Sequence, residues 1–161
     1  GDTDEKGGCT FIGGEWKDVS TKELFNDKKV LIFSLPGAFT PTCSGQQLPM
    51  YDEMYSQFKD KGIDDVYCVS VNDAFVMNAW ARDLGIKNVK MIPDGDGTFT
   101  RSMGMLVNKP KQGFGMRSWR YAAIVNNGTI ENMFIEPGQN DFSDDDDPYT
   151  VSSPEHVLSK L

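Results

Sequence analysis

The sequence has few cysteines, a single histidine and a shortage of basic side chains. Three cysteines are too few, and odd in number, for a secreted scaffold built on disulfides, which favours a reducing compartment. The 16 basic and 24 acidic residues give a net charge of −8, which repels nucleic acid and anionic membranes. No apolar run reaches the about 18 residues of a transmembrane helix. We therefore expect neither nucleic acid nor a membrane as a partner.

The length of 161 residues suits one domain, spanning residues 1–161, that can fold without disulfides. The first residues, GDTDEKGG, lack the apolar region of a signal peptide, so a cytoplasmic protein is expected. The chain starts at Gly1 rather than at methionine, which suggests a processed or excised fragment. The three cysteines and His156 lack the paired spacing of zinc ligands, and neither a metal nor another cofactor is expected.

Short apolar runs alternate with amphipathic segments and predict an α/β fold. Strands are predicted at residues 30–35, 66–71, 121–126 and 130–135, with a hairpin turn at Asn127-Gly128 between the last two. Helices are predicted at 43–61 with a kink at Pro49, at 74–84 between the caps Asp73 and Gly85, and at 154–161. Strand, helix, strand, helix, hairpin and closing helix is the element order of a thioredoxin-like domain.

Cys43 stands where the first predicted strand gives way to an amphipathic helix. The first turn of a helix has free backbone N–H groups and the positive end of the helix dipole, and both stabilise an anion. Cysteines at such positions ionise more readily than free thiols, and the thiolate is the nucleophilic form. The sequence therefore predicts that Cys43 is the reactive thiol.

The residues before Cys43 resemble the active site of a known family. Pro36, Thr40 and Cys43 are spaced like the signature of peroxiredoxins, the thiol peroxidases of the thioredoxin superfamily. Blocks at 69–80, 92–105 and 118–125 also resemble, in order, the type 5 or type II peroxiredoxins, including those fused to a glutaredoxin domain. The resemblance implies a thioredoxin-like fold with a central mixed β-sheet flanked by helices. It also implies reduction of hydrogen peroxide and alkyl hydroperoxides, and a homodimer packed near the active-site loops.

Four residues are expected to carry the chemistry. Peroxide would oxidise Cys43 to a sulfenic acid, while the Thr40 hydroxyl contacts the peroxide oxygens and Pro36 covers the pocket. Alternatively, Thr40 and Pro36 only shape the turn from strand to helix. Arg120 matches the family's active-site arginine, which holds the thiolate and polarises the peroxide. Arg117 is an alternative that either lines the pocket or pairs with a surface acid.

The remaining cysteines do not match a resolving residue of the family. Cys68 lies in an apolar predicted strand, where a buried thiol is inert, and Cys9 lies in a polar segment where it could be exposed. Many type 5 enzymes have a second cysteine near the C-terminal end, but residues 149–154 here read YTVSSP. This departure predicts a one-cysteine cycle, in which an external thiol such as glutathione with glutaredoxin, or thioredoxin, reduces Cys43.

Other interpretations stay open at this stage. Cys43 could belong to a redox sensor or holdase whose oxidation changes protein binding without turnover. A disulfide reductase is disfavoured because Gln46 stands where its second cysteine would be. His156 would have to meet Cys43 in a cysteine–histidine hydrolase, and a solvated helix position is favoured instead. The acidic stretch 140–147 is expected to be a solvated loop, with a metal site as the alternative.

Overall fold

The computed structural model of the protein describes residues 6–12, 15–143 and 147–161, with side chains described from Val19 onwards. Its strands are β1 (Lys6–Ile12), β2 (Glu15–Ser20), β3 (Lys29–Ser34), β4 (Asp65–Ser70), β5 (Lys90–Pro93), β6 (Leu106–Lys109), β7 (Gly115–Ser118), β8 (Tyr121–Asn126) and β9 (Thr129–Ile135). Its α-helices are α1 (Thr21–Phe25), α2 (Leu48–Glu53), α3 (Tyr55–Asp60), α4 (Ala74–Leu84), α5 (Thr98–Ser102) and α6 (Pro154–Ser159).

The central sheet has the strand order β5-β4-β3-β8-β9. Strands β3, β4 and β5 are parallel, whereas β8 is antiparallel to both of its neighbours, β3 and β9. The last residue of β3, Ser34, is therefore paired with the first residue of β8, Tyr121. As a result, the residues that follow β3 and those that precede β8 meet at the same edge of the sheet.

Side chains of β3 alternate between the two faces of this sheet, as the two-residue period of a strand requires. Leu31 and Phe33 belong to an apolar cluster with the helices that follow Cys43 and with α4, whereas Val30 and Ile32 face a second cluster on the other side. Both faces are thus buried. The fold is a mixed sheet flanked by helices, as predicted.

The local signals in the sequence are confirmed at several elements. The predicted strands correspond to β3, β4, β8 and β9, and the hairpin turn has the positive φ angles of 48° at Asn127 and 81° at Gly128 that the turn needs. Asp73 caps α4 by accepting a hydrogen bond from Val76 N–H at 2.8 Å, and Gly85 ends this helix at a φ of 66°.

The predicted helix at 43–61 is wrong as a single element. Its first part, Cys43–Gln47, is a wide π-helical turn in which Leu48 N–H donates to Cys43 O, and a second break separates α2 from α3 at Met54. The predicted kink at Pro49 is replaced by the wide turn before it. Proline lacks an N–H and its ring displaces the carbonyl four residues earlier, and a π turn accommodates both.

Two hairpins were not predicted. They are β1 with β2, and β6 with β7. Cys9, expected in a polar segment, therefore lies on β1, opposite Asp18, and its side chain lies outside the described part of the chain. Among the described residues, no helix is both long and apolar enough to cross a membrane. The same residues contain no group of three or more His, Cys, Asp or Glu side chains arranged to hold a metal ion.

Candidate active site

The sheet brings the regions of Cys43 and Arg120 together. Cys43 lies nine residues after the end of β3, and Arg120 immediately precedes β8, which pairs with β3. The helix that contains Cys43 starts at Pro41, a residue suited to a first helical turn, so the thiol lies in that turn as predicted. Asn72 fixes the connecting loop by accepting a hydrogen bond from Ala38 N–H at 3.0 Å.

The thiol of Cys43 is fully buried and contacts Arg120. Atom Nη1 of Arg120 lies 3.5 Å from Sγ of Cys43, within hydrogen-bond range of a sulfur acceptor. The same Nη1 donates to Oε1 of Gln47, which lies four residues after Cys43. The predicted pairing of Cys43 with an arginine is therefore present, and Arg120 rather than Arg117 makes the contact.

Arg120 is only 2% exposed and is held on several sides. Its Nη2 forms an ion pair with Oδ1 of Asp147, and its guanidinium carbon lies 5.6 Å from the ring centroid of Tyr149. Its Nε–H has no acceptor among the described residues. Burial opposes the charged form of Arg120, but the negative charges of Cys43 and Asp147 favour it and its pKa is raised.

Thr40 lies one turn before Cys43 and its hydroxyl is already engaged. Oγ1 donates to the carbonyl oxygen of Gly37 at 2.7 Å, and the Thr40 carbonyl accepts from Ser44 N–H at 2.9 Å. These bonds shape the turn, in agreement with the alternative reading. They also leave the lone pairs of Oγ1 available, so the hydroxyl can accept a proton donor from a bound molecule.

Arg117 lies next to the loop that precedes Cys43. Nη1 donates to Pro36 O and Nε donates to Phe114 O, both at 3.2 Å, so among the described residues this arginine binds backbone carbonyls and not a surface acid. Burial lowers the pKa of Arg117, although the charge of Cys43 acts in the opposite direction. Nη1 also fills the space where a Cβ on Gly37 would lie. Arg117 thus braces the loop that precedes Cys43.

A cavity of about 170 Å³ lies beside Thr40 and Arg120. Its wall is mostly apolar, and the polar side chains that reach it include Thr40 and Arg120. Because Arg120 lines the cavity and also contacts Cys43, a ligand in the cavity would meet the guanidinium next to the sulfur. The full lining is Pro36, Thr40, Pro41, Val107, Lys109, Gln112, Phe114, Ser118, Trp119, Arg120, Asp147 and Pro148.

Sequence reasoning did not find three partners of Arg120: Gln47, Asp147 and Tyr149. Gln47 follows Cys43 by one helical turn and could have been suggested by that spacing. Asp147 carries no such signal, and its carboxylate contradicts the expectation of a purely solvated acidic loop, because it turns inward to a buried cation. Asp141, in the same stretch, accepts from Asn108 N–H at 2.6 Å, and residues 144–146 lie outside the described residues.

Glu136 fixes the segment that carries these C-terminal partners. Its carboxylate accepts hydrogen bonds from the backbone and hydroxyl of both Thr150 and Ser152, at 2.6–3.0 Å. Its N–H donates to Arg120 O at 3.2 Å, and its carbonyl accepts from Trp119 Nε1 at 2.7 Å. Glu136 therefore connects residues 150–152 to the backbone of the catalytic candidate Arg120.

Two other titratable candidates, Cys68 and His156, lie on different elements, β4 and α6. Cys68 is fully buried on β4, and burial, with the nearby charge of Cys43, raises the pKa of its thiol well above the usual value. The predicted inert role of Cys68 agrees with this placement. His156 is not simply solvated, because its ring meets Phe134 edge to face with centroids 6.0 Å apart.

Comparison with known proteins relates these features to one family. The family model for Redoxin matches residues 9–150 of the chain. A peroxiredoxin of Rhizobium etli is 59% identical over 148 residues, which cover 91% of this chain and 81% of that protein. This similarity extends well beyond the residues around Cys43.

Two solved structures have the same fold. The antioxidant protein of Plasmodium falciparum, a 1-Cys peroxiredoxin, is 44% identical with a TM-score of 0.87, and the match covers 91% of this chain and 82% of that one. Reduced Prx3 of Vibrio vulnificus in complex with hydrogen peroxide is 37% identical with a TM-score of 0.82, covering 94% and 88% of the two chains. This chain therefore belongs to the peroxiredoxins, thiol peroxidases with a thioredoxin-like fold, as its sequence predicted.

Proposed function

We propose that Cys43 is the peroxidatic residue and that it reduces hydrogen peroxide and small alkyl hydroperoxides. The observation that carries this assignment is the 3.5 Å separation between Cys43 Sγ and Arg120 Nη1 in a buried site. The thiolate attacks one peroxide oxygen, so that an S–O bond forms while the O–O bond breaks. Cys43 becomes a sulfenic acid, and the departing oxygen takes a proton to leave as water or an alcohol.

Arg120 supports two stages of this reaction. Before the reaction, its charge stabilises the thiolate next to Nη1. As the O–O bond breaks, negative charge grows on the departing oxygen, and the Nε–H of Arg120 is a buried donor that needs an acceptor. A peroxide oxygen in the cavity would satisfy it. A fixed donor of this kind acts on the transition state because it requires no reorganisation when the charge appears.

Thr40 orients the peroxide. Since its own proton is donated to Gly37 O, Oγ1 accepts the O–H of the peroxide and holds that same oxygen toward Cys43, so that the oxygen bearing the hydrogen or alkyl group at the far end departs. Pro36 covers the adjacent wall of the cavity and offers no N–H to compete for the peroxide. The mostly apolar wall suits the alkyl group of an organic hydroperoxide.

The sulfenic acid is reduced by an external thiol in a one-cysteine cycle. The chain has three cysteines, and residues 149–154 contain none. Cys68 is buried on a central strand, where it is a poor resolving thiol. The Plasmodium falciparum relative is a 1-Cys peroxiredoxin, which supports the same cycle here. We propose glutathione with glutaredoxin as the reductant, with thioredoxin as the alternative, through a mixed disulfide at Cys43.

The homodimer expected from the resemblance remains part of this proposal. Phe39 is 53% exposed on the loop before Cys43, and Phe75 is 71% exposed at the start of α4. Large apolar side chains with this exposure favour association. A second copy covering both rings would place the interface beside the active-site loop.

Peroxide consumption by purified protein, coupled to glutathione, glutaredoxin and their reductase, tests the proposed function. Wild type should turn over many equivalents of peroxide, whereas Cys43→Ser should be inactive. Cys68→Ala is the matched control, since it removes a buried sulfur outside the site, and it should retain activity within a few-fold. Turnover by Cys43→Ser would refute the assignment, and oxidation of wild type without turnover with any of the thiol reductants would favour a redox sensor.

A further inference from the structure

The ion pair between Asp147 and Arg120 connects a partly exposed carboxylate to the buried guanidinium beside Cys43. The side chain of Asp147 is 47% exposed, while that of Arg120 is 2% exposed. Both residues line the cavity, and Arg120 contacts Cys43. Asp147 also has a φ of 47°, an uncommon angle for a residue other than glycine, although aspartate is among those that tolerate it. The carboxylate is thus held against the guanidinium at the cavity wall.

The contacts of Arg120 lie on different atoms of its planar group. On one side, Nη1 faces Gln47 and Cys43, and on the other, Nη2 faces Asp147. A long arginine side chain bound at one terminal nitrogen can still rotate about that contact. A second, charge-assisted bond at the other nitrogen fixes the plane of the group. Both Nη1 and Nε then keep one orientation relative to Cys43.

Asp147 has a second effect of opposite sign. Its negative charge offsets part of the positive field of Arg120 and so makes the thiolate of Cys43 less favourable. If this charge effect dominated, removal of the carboxylate would speed the reaction of Cys43 with every electrophile. If orientation dominated, removal would slow the step that needs an aligned donor on the departing oxygen. The two effects can therefore be separated by experiment.

We propose that Asp147 is a positioning residue of the peroxidase reaction, whose carboxylate holds Arg120 so that Nη1 faces Cys43 and Nε faces the bound peroxide. This inference rests on the proposed roles of Cys43 and Arg120. Asp147 itself touches neither the sulfur nor the reacting oxygens in this scheme. It acts through the orientation of the guanidinium, which the ion pair at Nη2 maintains.

The test compares Asp147→Ala and Asp147→Asn with wild type in two single-turnover reactions. One is oxidation of Cys43 by hydrogen peroxide, and the other is alkylation of the same thiol by iodoacetamide, which has no O–O bond to polarise. Both are measured across a range of pH, so that a change in the fraction of ionised thiol is seen as an equal change in both rates. The matched control is Asp141→Ala, which removes a carboxylate of the same stretch that binds backbone and not Arg120.

Asp147→Ala should react with peroxide about tenfold more slowly, while its alkylation stays within about twofold of wild type. Asp147→Asn keeps an oxygen acceptor for Nη2 and should recover most of the peroxide rate. Thermal unfolding midpoints of all variants show whether the fold is retained, and Asp147→Ser, whose shorter side chain also lacks the carboxylate, replaces the alanine variant if that variant does not fold.

Equal peroxide rates in wild type and Asp147→Ala would overturn the inference. So would an asparagine variant as slow as the alanine variant, or an equal loss in Asp141→Ala, which would assign the effect to the placement of the whole stretch. Faster alkylation together with faster peroxide oxidation would show that the charge effect dominates, and would also overturn it. Wild type that fails to react with peroxide would instead refute the proposed function.

Discussion

The hydroxyl of Thr40 donates its proton to the carbonyl oxygen of Gly37 at 2.7 Å. Because its proton is used in this bond, the Thr40 hydroxyl can act toward a ligand only as a hydrogen-bond acceptor, through its remaining lone pairs. The turn before Cys43 and the chemistry of the cavity depend on the same hydroxyl. A substitution at Thr40 can separate these two roles.

Thr40→Val should slow oxidation of Cys43 by hydrogen peroxide about tenfold or more, because it removes the acceptor while keeping the size of the side chain. Thr40→Ser keeps the hydroxyl and should remain within a few-fold of wild type. Stopped-flow measurement of the second-order rate constant distinguishes the two variants. Equal rates for the valine and serine variants would reduce Thr40 to a turn-forming residue.

Arg120→Gln should slow the same step by about 10- to 100-fold, because loss of a charged donor to an anion costs about 1.5–3 kcal/mol. The loss should persist at alkaline pH, where the thiol is ionised in both proteins, since the donor also acts on the departing oxygen. Arg117→Gln is the comparison and should have the smaller effect, because Arg117 binds backbone carbonyls. The reverse ranking of the two variants would transfer the role to Arg117.

Stoichiometric peroxide should convert Cys43 to a sulfenic acid that dimedone traps, because the segment at 149–154 has no cysteine to condense with it. Added glutathione should give a mixed disulfide at Cys43, visible by mass spectrometry as a glutathione adduct. A disulfide between Cys43 and another cysteine of the protein, formed faster than dimedone reacts, would contradict the one-cysteine cycle.

The Glu136 carboxyl should make the free energy of unfolding depend on pH. Burial raises its pKa, but the hydrogen bonds from Ser152 and Thr150 outweigh burial, and on balance the pKa is lowered. A carboxyl whose folded pKa lies below the unfolded value of about 4.3 stabilises the protein above that pH. This contribution is lost as the pH falls through the lower folded value.

Glu136→Gln should therefore lower the thermal unfolding midpoint at pH 7, with a cost of about 1–3 kcal/mol for the broken bonds. The midpoint of the variant should fall less than that of wild type between pH 7 and pH 3, because the titrating group is gone. Glu53→Gln, at an exposed position on α2, is the control and should behave like wild type. Parallel pH profiles for wild type and Glu136→Gln would contradict this account.

The features that the sequence predicted are those with local causes. The placement of Cys43 in a first helical turn follows from a strand, a turn and a helical period that are adjacent in the chain. The hairpin at Asn127-Gly128 and the cap at Asp73 likewise depend on a few neighbouring residues. The predicted pairing with Arg120, 77 residues after Cys43, came from the family resemblance and not from such local signals.

The features that the sequence did not predict depend on contacts between distant segments. The wide turn at Cys43–Gln47 reflects the conflict between Pro49 and a helix already packed against the sheet. An acidic stretch has the same composition whether its carboxylates face water or one of them meets a buried arginine. The inward turn of Asp147 could therefore not be seen without the fold.

The carboxylate bonds of Glu136 to Thr150 close a loop, because these residues are 14 positions apart in the chain. When these hydrogen bonds form, their free energy offsets the entropic cost of joining the two ends of the loop. Asp147 lies inside the loop and thereby reaches Arg120 at a high effective concentration, as a tethered partner does. The fraction of time for which the ion pair is formed then depends partly on the bonds of Glu136. A substitution that only weakens those bonds would leave Arg120 paired with the Asp147 carboxylate for a smaller fraction of the time.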